Sequence, residues 1–223
     1  MYFSDNLLAK LNKHKVDIYG YVDRHITRKI IKYVVDSNFR QSVSISTWLE
    51  NSINRTLNLN DLKSKPRSIK NEDAQMMEIL RWVKNNIKYV PDSKQWKRIE
   101  YWQKPQETLN SMQGDCEDGA ILMYCLARMY GIPENRLLLI CSDTPIGGHC
   151  YLAYKPTNYP LNFTFMDWCY NVDLRTIQTR TKYSIVGKTI NGDKYYSNMW
   201  FAFNEIDSYS EIVRHKIEDY NGK

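Results

Sequence analysis

Apolar and polar positions follow one pattern in the first 130 residues of this chain and another after them. Apolar residues recur at three- and four-residue steps over Ile26, Ile30, Ile31, Val34 and Val35, and again over Trp48, Leu49, Ile53 and Leu57 behind a Thr47-x-x-Glu50 capping box. Met76, Ile79, Leu80, Val83 and Ile87 repeat the pattern, with Asn71 as the cap. Each run predicts an amphipathic helix. A fourth, through Cys116, Ala120, Met123, Tyr124, Ala127 and Tyr130, stops at Gly131 and Pro133. Beyond it come short apolar, aromatic and β-branched runs, Arg136 to Ser142, His149 to Tyr154 and Leu161 to Trp168, separated by Gly, Pro, Asn and Asp. They predict an antiparallel meander. Lys194 to Phe203 reads as a further aromatic strand and Glu205 to Tyr220 as a closing helix. The polar, proline-containing stretch from Asn58 to Lys70 predicts a linker, so the expected organisation is a helical region over 1–70 and a domain over 71–223.

Composition narrows the class. A chain of 223 residues with 43% hydrophobic content can bury one domain with an extension, or two small ones. No apolar stretch approaches the roughly 18 residues of a membrane span, and the amino terminus lacks the succession of a signal peptide. A cytoplasmic protein without a membrane partner is expected. Five cysteines, an odd number with no CxxC pair, argue against a disulfide scaffold or a zinc site. Of the net charge of +6, residues 1–70 carry +7, from 13 Lys or Arg against 6 Asp or Glu. That basic region has no nucleic-acid motif, so a solvated face or docking to a protein partner is expected rather than nucleic-acid binding.

Chemistry concentrates in Gly114-Asp115-Cys116-Glu117-Asp118-Gly119, at the start of the fourth helix. A thiol attacks as the thiolate, and a helix N-terminus or a neighbouring imidazolium lowers its pKa from about 8.5. Asp115, Glu117 and Asp118 oppose ionisation and call for another role, helix capping or a bound cation. His149 opens the middle strand on a face with Tyr151 and Ala153, and Asp167 lies on the adjacent strand. Cys116, His149 and Asp167 supply a nucleophile, a base and an orienting carboxylate. Taken singly, each has a structural explanation, and Cys125, Cys141, Cys150 and Cys169 are expected to be buried filling.

The stretch from Asp92 through Glu100-Tyr101-Trp102, Pro105, Glu107 and Leu109 to Gly114-Asp115-Cys116-Glu117-Asp118, followed by His149 and Asp167, resembles the bacterial transglutaminase-like cysteine peptidases. Their best-known members are periplasmic proteases that clip adhesins, and similar domains are frequent in bacteriophage proteins. The resemblance spans about residues 70 to 172. It implies an α+β fold, a papain- or transglutaminase-like core whose nucleophile helix packs on an antiparallel sheet, behind a helical N-terminal region. It implies Cys116 as nucleophile, His149 as general base and acid, and Asp167 as orienter, acting through a thioester on a protein or peptide. Trp102, Gln103 and Gln113 are the side-chain candidates for an oxyanion donor beside the Cys116 N–H. In the adhesin proteases the acids flanking the cysteine bind calcium, which implicates Asp115 and Glu117. Gly119 replaces the bulky residue common there and is expected to widen the pocket floor. A phage member would sit in the host cytoplasm or the virion. Acyl transfer to an amine, or a non-catalytic phage accessory protein that retains the fold, are the alternatives.

Overall fold

The computed structural model describes Leu49 and residues 64–186, 189–191, 195–206 and 208–210. Helix α1 (Glu72–Asn86) begins where its sequence predicts, with the Asn71 side chain accepting the Ala74 N–H at 2.9 Å. Its predicted stripe of Met76, Ile79, Leu80 and Val83 is fully buried. The short β1 (Lys88–Tyr89) and α2 (Asp92–Gln95) lead to α3 (Pro105–Ser111), β2 (Gln113–Gly114) and α4 (Cys116–Met129). Parallel pairing of β1 with β2 sets Tyr89 beside Gly114, just ahead of the nucleophile helix. Helix α4 ends before the Gly131-x-Pro133 stop.

A turn of 3₁₀ helix (Glu134–Arg136) then feeds β3 (Leu137–Thr144), β4 (Gly147–Tyr154) and β5 (Thr164–Met166). A two-stranded ribbon, β6 (Ser184–Val186) and β7 (Thr189–Asn191), precedes β8 (Ser197–Phe203) and β9 (Ser208–Ser210). The main sheet runs β5-β4-β3-β8-β9 and is antiparallel throughout. The predicted meander is present, and the aromatic strand over 197–203 joins its other side. The two-residue period of the strands sorts the core into two layers. Leu137, Leu139, Cys141, Cys150, Leu152 and Tyr154 face α4 and α1, whereas Ile140, Tyr151, Ala153 and Phe165 meet Tyr183, Tyr196 and Met199 on the other side. Helix α4 lies between α1 and the sheet, which is why Ala120 to Ala127 are buried all round rather than along one stripe. The fold is α+β, as expected.

Two expectations change. The helix expected from Glu205 is replaced at Ser208–Ser210 by β9, which pairs with β8 and closes that edge with a short polar strand; residues 211–220 lie outside the described residues. The described part of the expected linker is docked: Trp82 Nε1 donates to the Ser64 carbonyl at 3.2 Å and Tyr130 Oη to the Pro66 carbonyl at 2.6 Å. Leu49 is helical and fully buried in the same core as α1 and α4. The rest of the two N-terminal stripes lies outside the described residues. Among the described residues, no helix is long and apolar enough to cross a membrane.

Candidate active site

Cys116 is the first residue of α4 and is almost fully buried, with its Sγ 3.1 Å from Glu117 Oε2. Helix and sheet packing bring it to the start of β4, where the Cys150 backbone hydrogen-bonds to it. Burial, then the Asp115 carboxylate, hold this thiol well above the ordinary range, against the pull of the Cys150 backbone bond. Burial and Asp115 therefore outweigh the helix N-terminus in the protein alone, while the hydrogen bond to Glu117 acts the other way.

His149 and Asp167 meet directly. Their Nε2 and Oδ2 atoms are 2.8 Å apart with both side chains fully buried. Asp167 also accepts the Tyr196 hydroxyl at 3.0 Å and the backbone N–H groups of Cys169, Tyr170 and Asn171 at 3.1, 3.3 and 3.2 Å. Burial raises its pKa, but His149 and these donors prevail and bring it down to about 2. An ionised Asp167 fixes the His149 proton on Nε2 and leaves Nδ1 as the basic nitrogen. Nδ1 is buried and has no hydrogen-bond partner among the described residues. The histidine does not share the face that carries α4. Its ring packs 5.7 Å from Tyr151, on the second core layer, and 4.9 Å edge-on from Tyr170. Tyr170 bonds through its hydroxyl to Tyr89, so two tyrosines that sequence reasoning did not single out wall the pair.

The flanking acids form a site of their own. Oxygens of Asp92, Asp115, Glu117 and Asp118 lie within 4.8 Å of one another, all buried. Two ionised carboxylates that close repel by roughly 3 kcal/mol at an effective dielectric near 20. Burial, followed by the neighbouring carboxylates, raises Asp92 to about 8 and pushes Glu117 and Asp118 well up; burial also raises Asp115, against its hydrogen bonds and His149. Asp118 is the cap: it accepts from the Asp115 N–H at 3.0 Å, the Gln103 N–H at 2.8 Å and the Gln103 amide at 2.5 Å. The others are under-used. Asp92 Oδ1, Asp115 Oδ1 and Glu117 Oε1 are buried and have no hydrogen-bond partner among the described residues. Converging hard oxygens with unspent lone pairs are the kind of donors a calcium ion takes. Asp92, 23 residues ahead of Asp115, was not among the residues predicted for it; its signal was only its place at the head of the Asp92 to Leu109 block.

Of the oxyanion candidates, Trp102 donates its indole N–H to Glu100 at 2.8 Å and Gln103 spends its amide on Asp118. Gln113 sits on β2, two residues ahead of Asp115. Gly119 does not widen the floor. A Cβ there would stand 2.2 Å from Trp168 Cε2, because the Trp168 indole fills that space and donates to the Cys116 carbonyl at 3.1 Å. The small residue makes room for a large one 49 positions away.

The site thus comprises a buried cysteine at a helix N-terminus packed on an antiparallel sheet, and a buried His–Asp pair at the start of β4. Residues 60–143 match the family model of the transglutaminase-like superfamily. Among solved structures it is similar to calcium-bound LapG of Legionella pneumophila, at 17% identity and a TM-score of 0.47, covering 90% of this chain and 87% of that one. EGTA-treated LapG of the same organism gives 17% and 0.46, over 90% and 84%. A proposed cysteine protease of Cytophaga hutchinsonii gives 17% and 0.35, over 82% and 53%. No curated protein sequence matches the chain. These relatives are bacterial, and the expectation of a phage origin gains nothing from them.

Proposed function

We propose that the chain is a thiol-dependent acyl hydrolase, a cysteine peptidase or amidase, with Cys116 as nucleophile, His149 as base and Asp167 as orienter. The observation that carries the reading is the buried His149–Asp167 pair with Nδ1 left over, at the strand start that Cys116 reaches from α4. In the reaction Nδ1 takes the thiol proton, Sγ attacks the acyl carbon, and His149 returns the proton to the leaving amine. Water, deprotonated by the same nitrogen, then opens the thioester. The Cys116 backbone N–H at the start of α4 is the proposed oxyanion donor; Trp102 or Gln103 could join only by giving up its carboxylate partner, and Gln113 completes the set. The test is the pH dependence of Cys116 alkylation by iodoacetamide, read peptide by peptide with the other four cysteines as controls. With calcium present, selective labelling of Cys116 below pH 8, lost in His149→Ala, is expected; labelling no faster than an ordinary buried thiol with calcium present overturns the pair.

Calcium belongs to this reading, held by Asp92, Asp115 and Glu117, with Asp118 behind them. Bound there, the cation would supply positive charge that cancels the Asp115 field on the thiol. The sign for stability follows from the raised carboxyl pKa values. In the metal-free protein the contribution of Asp92 is fully present below pH ~4 and is lost as pH rises through about 8. The melting temperature of chelated protein is therefore expected to fall between pH 5 and 8, and calcium to reverse the fall. Asp115→Asn with Glu117→Gln should remove the response. Identical melting curves with calcium and with chelator at pH 8 would exclude the site.

A further inference from the structure

Beside Asp167, a pocket of about 440 Å³ opens among Thr164, Asn171, Asp173, Arg175, Arg180 and Tyr196. Its charged wall is incompletely paired. Arg180 is only 4% exposed; its Nε donates to Thr164 Oγ1 at 3.2 Å and its Nη2 to the Phe165 carbonyl. Nη1 is buried with no hydrogen-bond partner among the described residues, and Asp173 Oδ1 stands 3.8 Å away, beyond hydrogen-bond reach. Asp173 is held elsewhere, by Arg175 Nε at 3.0 Å and Nη2 at 2.8 Å. Two guanidiniums thus share one carboxylate, and neither can shed its charge. The surplus is felt nearby: burial and then Arg180 lower the pKa of Lys182. A buried cationic donor without an acceptor is costly, and a bound anion is what would satisfy it.

We propose that this pocket binds a small oxyanion, a carboxylate or a phosphate, with Arg180 as the buried charge and Arg175 at the rim. Thr164 and Asn171 add polar groups to the wall. The place is suggestive for the rest of the molecule, because Tyr196 and Asn171 both line the pocket and both hydrogen-bond to Asp167. An occupant touches the groups that hold the His149 partner. The inference concerns binding alone and stands whether or not the chain hydrolyses acyl bonds.

The experiment is calorimetric titration of the full chain with sodium phosphate and with sodium succinate at pH 7, ionic strength matched by sodium chloride. Saturable binding of one equivalent is expected for at least one of them. Arg180→Gln is the direct variant, but Arg180 is buried and that protein could fail to fold. The decision therefore rests on two more exposed positions. Arg175→Gln should weaken binding about tenfold or more, the loss of one charge-assisted contact. Asp173→Asn, which removes the competing carboxylate, should tighten it. Preference for succinate would point to a carboxylate ligand, preference for phosphate to a phosphorylated or free phosphate ligand, and equal affinity to recognition of charge alone; each supports the site. Heats no larger than those of matched chloride would mean that Nη1 is satisfied by water only. Affinities unchanged in both Arg175→Gln and Asp173→Asn would put the anion elsewhere. Either result overturns the proposal.

Discussion

Cys116→Ala is expected to lose acyl turnover on the order of 10⁴-fold or more, the scale seen when a covalent nucleophile is removed, while the fold survives. Cys116 is small and begins its helix, and its thiol has one side-chain bond, to Glu117. Removing it should cost about 1 kcal/mol, a typical single substitution. The first turn remains tied by Asp118 to Asp115 and by Trp168 to the Cys116 carbonyl, neither of which uses the thiol. Pre-steady-state hydrolysis of p-nitrophenyl acetate separates the roles: the wild type should show a burst from the thioester, and Cys116→Ala none. Asp167→Asn should retain the burst but slow it by about 10⁴-fold, because an amide cannot fix the proton on Nε2. A burst of equal size in Cys116→Ala would remove the cysteine from the chemistry altogether.

Gly119→Ala is expected to destabilise the protein by about 3 kcal/mol, at the upper end of overpacking costs. Helix propensity alone predicts the opposite sign, a gain of roughly 0.5–1 kcal/mol for alanine within a helix. The close approach decides. The added Cβ would lie 2.2 and 2.3 Å from Trp168 Cε2 and Nε1, and the indole is 1% exposed, so it has nowhere to withdraw. Its retreat would also break its bond to the Cys116 carbonyl, so Cys116 labelling should change along with the melting temperature. For a chain of this length the drop is about 10 °C. Gly119→Ala combined with Trp168→Leu should recover part of it. A Gly119→Ala protein as stable as the wild type would mean that the indole does not occupy that space.

The class of chemistry was legible before the fold because its signals are local. A cysteine at a helix start is readable from the three- and four-residue steps behind it, and strands from short β-branched and aromatic runs between turn residues; neither inference needs a distant partner. Asn71 and Asp118 behaved as caps for the same reason, since a cap bonds to backbone within one turn. The α+β core, with a cysteine-bearing helix packed on an antiparallel sheet, followed from signals of this kind. The N-terminal stripes were equally legible, but only Leu49 falls among the described residues that could test them.

Glu205 shows where local reading stops. A short polar segment follows it, and the edge of β8 recruited three of those residues as β9. The face of β4 opposite α4 was likewise settled by packing. Alternation groups His149 with Tyr151 and Ala153, but it cannot say which face a helix will cover. Gly119 looked like empty space until Trp168, from beyond three strands, filled it. The oxygen cluster needed Asp92 from α2 to meet Asp115 and Glu117 on another element, and the Arg180 Nη1 lacks a hydrogen-bond acceptor because Asp173 is captured by Arg175. What this sequence determined by itself was therefore the kind of side chain available and the helix or strand that bears it, because backbone hydrogen bonding and side-chain period act over a few residues. Which charges share a buried space, and which are left without a partner, was decided only by tertiary packing, because electrostatic and steric terms depend on distances between atoms far apart in the chain.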